Sequence, residues 1–195
     1  ILKVKINNMK TKIPNHATLK FEGMFVRIYQ WEQEMFDGTK QIFEQTVRKD
    51  GAMIFAVADG KMMIEEELQP LWTEPLLSIP AGTCEEFEED ALMRAKEELR
   101  EETGYESDDW ELWNTWSPHG TITWNNYIYI ARDCKRVGEP KFDPGEKITV
   151  DFMEFDDFID HGLQANFRHE VLKPYFLLMK HDEEYRNEVK KKLFK

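Results

Sequence analysis

Apolar and polar positions change period several times along the chain, and each change marks an element. Residues 17 to 31 alternate loosely through Leu19, Phe21, Met24, Val26 and Ile28, a pattern of strands. Asp37-Gly38 reads as a hairpin turn, and residues 40 to 48 supply the partner strand through Ile42, Glu44 and Thr46. Residues 52 to 58 and 62 to 65 predict a second hairpin about Asp59-Gly60, and 76 to 79 a short strand. The period then lengthens: Leu92, Ala95 and Leu99 recur at helical spacing, and Gly104 can end that helix. Strands return at 110 to 116, 122 to 131 and 148 to 155, separated by the turn Ser117-Pro118-His119-Gly120 and a polar loop at 140 to 147. Residues 154 to 162 predict a short helix. Residues 166 to 193 predict a long one, broken or kinked early by Pro174. This order predicts an α/β (α+β) chain with a mixed sheet and a helix on each face. Residues 1 to 48 form a small N-terminal antiparallel β extension in this reading, and 49 to 195 the main domain with its C-terminal helix.

Glu98, Glu101 and Glu102 sit three and four residues apart in the predicted helix, which places them on one surface, close enough to share cations. With 33% of residues charged, a solvated acidic face is the plain alternative. A helical wheel at about 100° per residue opposes it. Glu98 and Glu102 fall beside Ala91 and Ala95 on the flank of the apolar stripe, whereas Met93, Lys96, Glu97 and Arg100 take the outward side. Carboxylates that only aid solubility belong opposite the core; at its edge they can line a cleft. Such a donor set suits a hard cation, Mg2+ or in its place Mn2+, with phosphate as the missing partner.

The stretch Pro80-Ala81-Gly82, Glu89 and Glu98-Leu99-Arg100-Glu101-Glu102-Thr103-Gly104-Tyr105 resembles the Nudix box of Nudix hydrolases. Two positions depart from it. Gly82 lies one residue early, so that either the loop into the helix is one longer or Thr83 stands at the Gly position; and Glu97 occupies the place of an Arg. The resemblance implies a Nudix-like α/β/α sandwich, with Glu98, Glu101, Glu102 and the Ala81 carbonyl as metal ligands and Glu89 steadying the loop. Arg94, four residues before Glu98, is the candidate to compensate for the missing Arg. The resemblance extends over about residues 40 to 175 and, within the family, to the ADP-ribose and nucleoside-diphosphate-sugar pyrophosphatase branch. There the N-terminal strand pair serves dimerisation, a Pro-containing loop matches Ser117-Pro118-His119-Gly120, and the late loop Asp143-Pro144-Gly145-Glu146 carries the catalytic base, here Glu146. Gln69 stands where that branch often has an Arg, and lacks the charged fork that suits phosphate. Candidate substrate contacts are Arg27, Arg48, Gln69 and Pro118, with Trp31, Trp72 and Trp124 as stacking surfaces; each also has a plain structural role as strand surface, turn former or core aromatic.

Composition narrows the partners. A net charge of −12 opposes a nucleic-acid polymer but not a small nucleotide, because a bound cation and local arginines reverse the field inside a pocket. Apolar content of 41%, with thirteen Phe and six Trp, predicts a packed globule, and 195 residues suffice for one domain plus an accessory segment. No apolar run approaches the roughly 20 residues that span a membrane. The chain begins at Ile1, with Met9 and Met24 as candidate starts, and shows no legible signal segment. Cys84 and Cys134 make no disulfide framework and suit a reducing cytoplasm. The expectation is a cytoplasmic, homodimeric enzyme that hydrolyses, with metal, the pyrophosphate bond of a nucleoside diphosphate joined to another moiety, ADP-ribose-like or a nucleotide sugar. Glu101, Glu102 and Glu146 are its catalytic residues. The alternative is a non-catalytic Nudix-like module that binds a nucleotide or a partner.

Overall fold

The computed structural model describes residues 13 to 195; residues 1 to 12 of the predicted extension, Met9 among them, lie outside the described residues. Strands β1 (Thr18–Glu22), β2 (Val26–Glu34) and β3 (Lys40–Arg48) form an antiparallel meander. The β2–β3 hairpin closes at Asp37-Gly38, as the sequence predicts. The Asp37 carboxylate accepts from the Thr39 N–H (3.0 Å) and hydroxyl (2.7 Å), and Gly38 takes φ +83°.

Two residues later the chain enters the main sheet. Strands β4 (Gly51–Ala58) and β5 (Lys61–Leu68) pair only at their hairpin end, through Val57 with Met62 and Ala58 with Lys61. Beyond that they part. β6 (Leu76–Ser78) pairs with β5 and β7 (Ala81–Thr83) with β4, filling the gap between them. Helix α1 (Ala91–Thr103) follows, capped by the Asp90 carboxylate on the Leu92 N–H (3.0 Å) and ended by Gly104 at φ +75°. Next come β8 (Tyr105–Glu106), β9 (Asp109–Trp116), β10 (Ile122–Thr123), β11 (Asn126–Arg132), β12 (Lys135–Arg136) and β13 (Lys147–Met153). The main sheet runs β13-β5-β4-β11-β9, with β4 and β11 parallel and the other neighbours antiparallel.

Every residue of β4 is buried, so its alternate side chains feed two cores. Ala52, Ile54 and Ala56 face α1 through Ala91, Ala95 and Leu99; the small side chains let the helix lie close. Met53, Phe55 and Val57 face the other layer, made of α2 (Phe155–Gly162), α3 (Lys173–His181) and α4 (Glu183–Leu193). Phe55, Phe158, Phe167 and Phe176 pack there as a cluster of ring contacts. The α/β/α sandwich is therefore present, helices covering both faces of a mixed sheet.

Two expected elements are divided. The strand expected over 122 to 131 is broken. β10 runs parallel to β3 in the N-terminal sheet, Trp124-Asn125 crosses over, and β11 belongs to the main sheet. Asn125 fixes the crossing: its N–H and side-chain amide donate to the two Asp50 carboxylate oxygens at 2.7 and 2.9 Å. The long C-terminal helix is two helices. Pro174 sits in the first turn of α3, where its missing N–H leaves nothing unsatisfied. The break comes at Asp182, in extended conformation, whose carboxylate accepts from the Tyr185 N–H (3.0 Å) and caps α4. Cys84 and Cys134 are both buried and unbonded to each other. Among the described residues no helix is long and apolar enough to cross a membrane.

The end of α4 is tied down by charge. Glu111 on β9 accepts from Lys192 (2.5 Å), from Arg132 and from Lys195 (3.3 Å), and Arg132 also donates to the Lys192 carbonyl. These bonds, Lys192 foremost, hold the Glu111 carboxyl down to about 2, below its ordinary 4.5. A depressed folded value adds stability that is present above 4.5 and is lost as pH falls through about 2. Glu111→Gln is expected to cost about 1–2 kcal/mol at neutral pH, the pair being partly screened by solvent. In denaturant melts, the gap between variant and parent should close as pH drops across that window. A gap independent of pH would remove Glu111 from the account.

Candidate functional site

The site grows from the gap between β4 and β5. Ile79-Pro80 carries the chain from β6 to β7, and the Ala81 N–H donates to the Glu102 carboxylate at 2.9 Å. Beside it, Glu98 lies against the backbone of Gly82: a Cβ at that position would stand 1.4 Å from a Glu98 carboxylate oxygen. Gly82 is thus the glycine the helix needs. The loop between β7 and α1 places Glu88 at φ +71°, and the Glu89 carboxylate closes it by accepting from the N–H groups of Glu85 (2.5 Å) and Glu86 (3.0 Å).

Sequence placed Glu98 and Glu102 at the edge of the apolar stripe; the structure buries both. Burial pushes the Glu98 carboxyl up to about 7, against the opposing pull of Arg94. Burial and then the neighbouring Glu65 and Glu98 raise Glu102 well above the usual carboxylate range. Glu101 stands at the rim, half exposed. Arg94 answers Glu98 at 2.6 Å and reaches Glu97, Glu85 and Glu101 at 3.5, 3.6 and 3.7 Å. One guanidinium, 11% exposed, therefore serves four carboxylates, and Glu97 turns toward it rather than into the cluster.

Two further carboxylates come from β5, which runs three residues past the expected strand. Glu65 is fully buried, and neither of its oxygens has a hydrogen-bond partner among the described residues. Desolvation and the charges of Glu67, Glu98 and Glu146 raise its carboxyl well above the usual range. Glu67, 1% exposed, accepts from the Gln69 side-chain amide (2.6 Å) and from Arg168. Strand alternation carries the signal: Met63, Glu65 and Glu67 share one face, and Met63 belongs to the core under α1. Among the described residues no three His, Cys, Asp or Glu side chains form a ready cation cage. The donor chemistry nevertheless fits a hard divalent cation: all donors are oxygens, both Glu65 oxygens are buried without a partner among the described residues, and burial, then mutual repulsion, raises the buried carboxyls.

A cavity of about 210 Å3 shares Ala81 and Gly82 with this cluster. Arg48, Asn126, Arg168, His169 and Glu170 also line it. Arg48 is thus at the cavity, its guanidinium 5.4 Å over Trp124. The other predicted contacts are elsewhere. Gln69 is spent on Glu67. Arg27 bonds Glu22 at 2.6 Å and stacks over Phe87, 4.0 Å from the ring centre. Pro118 is half-buried outside the cavity lining, in the turn whose Ser117 hydroxyl donates to Asn125 at 2.7 Å. Trp31 packs on Phe43 in the N-terminal sheet, and Trp72 lies under Arg168. Glu146 sits on its own turn, its carboxylate accepting from the Asp143 N–H at 3.3 Å, and burial raises its carboxyl.

The NUDIX domain family model matches residues 47 to 176, two thirds of the chain. The chain belongs to the Nudix family of pyrophosphohydrolases. A solved structure of an ADP compounds hydrolase shares the fold at a TM-score of 0.69 and 15% identity, over 89% of this chain and 94% of that one. No curated protein matches. The Nudix match spans β7, α1, the Glu146 loop and Arg168, so the buried carboxylates and the arginine-lined cavity both lie inside the family's domain.

Proposed function

We propose that this Nudix protein hydrolyses the pyrophosphate bond of a nucleoside diphosphate joined to a second moiety, ADP-ribose-like or a nucleotide sugar, to a nucleoside monophosphate and a sugar phosphate. One observation carries the reading: the buried α1 carboxylates Glu98 and Glu102 lie against the Ala81-Gly82 backbone, the buried Glu65 of β5 acts on both by its charge, and the same backbone walls a cavity lined by two arginines. The named chemistry of the structural neighbour, an ADP compounds hydrolase, agrees with it.

Glu98, Glu101 and Glu102, with the Ala81 carbonyl, would hold Mg2+ or Mn2+. Such an ion, when bound, neutralises pyrophosphate oxygens and acidifies a water. The chain's own groups do the rest. Arg48 orients the diphosphate, and Glu89 keeps the loop and therefore the ligands in place. Glu146, whose charge acts on Glu65 and Glu98, takes the proton as water oxygen bonds phosphorus and the bridging P–O bond breaks toward the departing phosphate. Burial raises the Glu146 carboxyl, the direction that makes it a stronger base.

The N-terminal sheet exposes Leu19, Phe21, Met24, Phe25, Ile42 and Phe43, a surface that a second copy would cover in a homodimer. The test of function is a screen for Mg2+-dependent monophosphate release against nucleotide sugars, ADP-ribose, dinucleotides and triphosphates. Release from one diphosphate class supports the hydrolase. Ligand-induced thermal stabilisation without any product would favour the non-catalytic binding module.

A further inference from the structure

The sequence has no arginine at position 69, and the structure carries one to the neighbourhood of that position from a distant segment. Arg168 lies between α2 and α3 in a loop pinned on both sides. Its backbone N–H donates to the Leu77 carbonyl (2.8 Å), the Leu77 N–H donates to the Asn166 carbonyl (3.1 Å), Phe167 is 2% exposed, and the His169 ring meets the Ser78 hydroxyl at 3.0 Å. The guanidinium donates to the buried Glu67, whose other oxygen is held by Gln69, and lies 5.2 Å over the Trp72 ring. One of its donors is spent on Glu67. The rest have no acceptor among the described residues, although an arginine offers five.

Across the same cavity Arg48 bonds no carboxylate among the described residues and rests on Trp124. Glu170 also lines the cavity, but Lys173 neutralises it at 2.6 Å. In a chain of net charge −12, two guanidiniums with unspent donors line one cavity, the charge of Arg168 being balanced by Glu67 while its remaining N–H groups stay available. Their planar forks match phosphate oxygens in pairs.

We infer that Arg168, aimed by Glu67 and working with Arg48, is a diphosphate-binding and specificity-determining residue of this site, supplied by the α2–α3 loop in place of the arginine missing at position 69. The inference takes the identity of the ligand from the diphosphate reading above and its location from the cavity alone. A single phosphate fills one fork, whereas a diphosphate engages both, so discrimination favours the diphosphate.

The test is calorimetric titration of ADP and of AMP into the full chain, in EDTA and again with Mg2+. The parent is expected to bind ADP more tightly than AMP. Arg168→Ala should weaken ADP binding at least tenfold and erase most of the preference, and Arg168→Lys should restore it only in part. Because Arg168→Ala leaves Glu67 buried and unpaired, the same substitution is also made in a Glu67→Gln background, where a tenfold loss is again expected. Unchanged ADP affinity on removing Arg168 in both backgrounds, or a parent that binds ADP under neither condition, overturns the inference. The two readings separate cleanly. Arginine-dependent ADP binding without hydrolysis of any diphosphate leaves this inference standing and fails the hydrolase. Hydrolysis indifferent to Arg168 does the reverse.

Discussion

Glu102→Gln is expected to stop turnover and, in metal-free protein, to raise the melting temperature. The carbonyl of a glutamine can still accept from the Ala81 N–H, which now bonds Glu102 at 2.9 Å, so the turn and helix keep their contact. What disappears is a carboxyl, 3% exposed, that burial first and then Glu65 and Glu98 hold well above the usual range, so that above its unfolded value the folded state must take up a proton or carry an opposed charge. Removing that penalty relieves the fold, the familiar exchange of stability for activity at a working site. Catalysis loses a ligand position whose role is worth several kcal/mol of charge stabilisation, hence about a hundredfold or more in rate. The check has two parts: monophosphate release with Mg2+, and thermal scans in EDTA and in Mg2+. The variant should melt higher than the parent in EDTA and gain less from Mg2+. Full activity would refute the ligand assignment of Glu102. A lower melting temperature in EDTA would mean that the carboxylate stabilises the fold by bonds other than the one to Ala81.

The second large effect is that of Arg94→Ala. This substitution leaves Glu98, 10% exposed, without its partner, and frees Glu97, Glu85 and Glu101 from the one cation they share. Breaking one side of a buried ion pair costs about 3–5 kcal/mol. Against a whole-protein stability of typically 5–15 kcal/mol, that is a large fraction. Thermal scans should show a deep loss in EDTA and a larger rescue by Mg2+ than in the parent, since an added cation supplies the charge that the arginine gave. Activity should fall with it. A variant that melts and turns over like the parent would show that Glu97 needs no compensation at all.

Much of this was legible along the chain because local signals and global packing agree at the key elements. The period change at Leu92, Ala95 and Leu99 marked α1, Gly104 ends it as expected, and the turn dipeptides marked both hairpins. The flank position of Glu98 and Glu102 pointed to a cleft, though it understated how deeply they are buried. What the pattern hid depends on contacts between distant segments. Glu65 reads as one of three consecutive glutamates at a strand end; only the face it shares with Met63 separates it from the exposed Glu66. Arg168 carries no local signal, because its partner Glu67 and its support Trp72 lie about a hundred residues earlier. The break inside 122 to 131 was equally silent, since β-branched and aromatic residues suit either sheet, and the choice is made by Asp50 gripping Asn125.

That grip has a mechanical meaning. The chain passes between the two sheets twice at neighbouring places, once over Lys49-Asp50 and once over Trp124-Asn125, and the passages are sewn together by the Gly51 N–H on the Asn125 carbonyl (2.8 Å) and by the Asp50 carboxylate. A single strand crossing would act as a pivot. Two side by side act as a clamp, which resists both twisting and bending. The N-terminal sheet is thus a rigid handle on the end of the main sheet, and Arg48 and Asn126, at its two roots, flank the cavity. A force applied to the outer face of that handle, such as a protein settling against Phe21 and Ile42, would reach the cavity wall without being absorbed on the way.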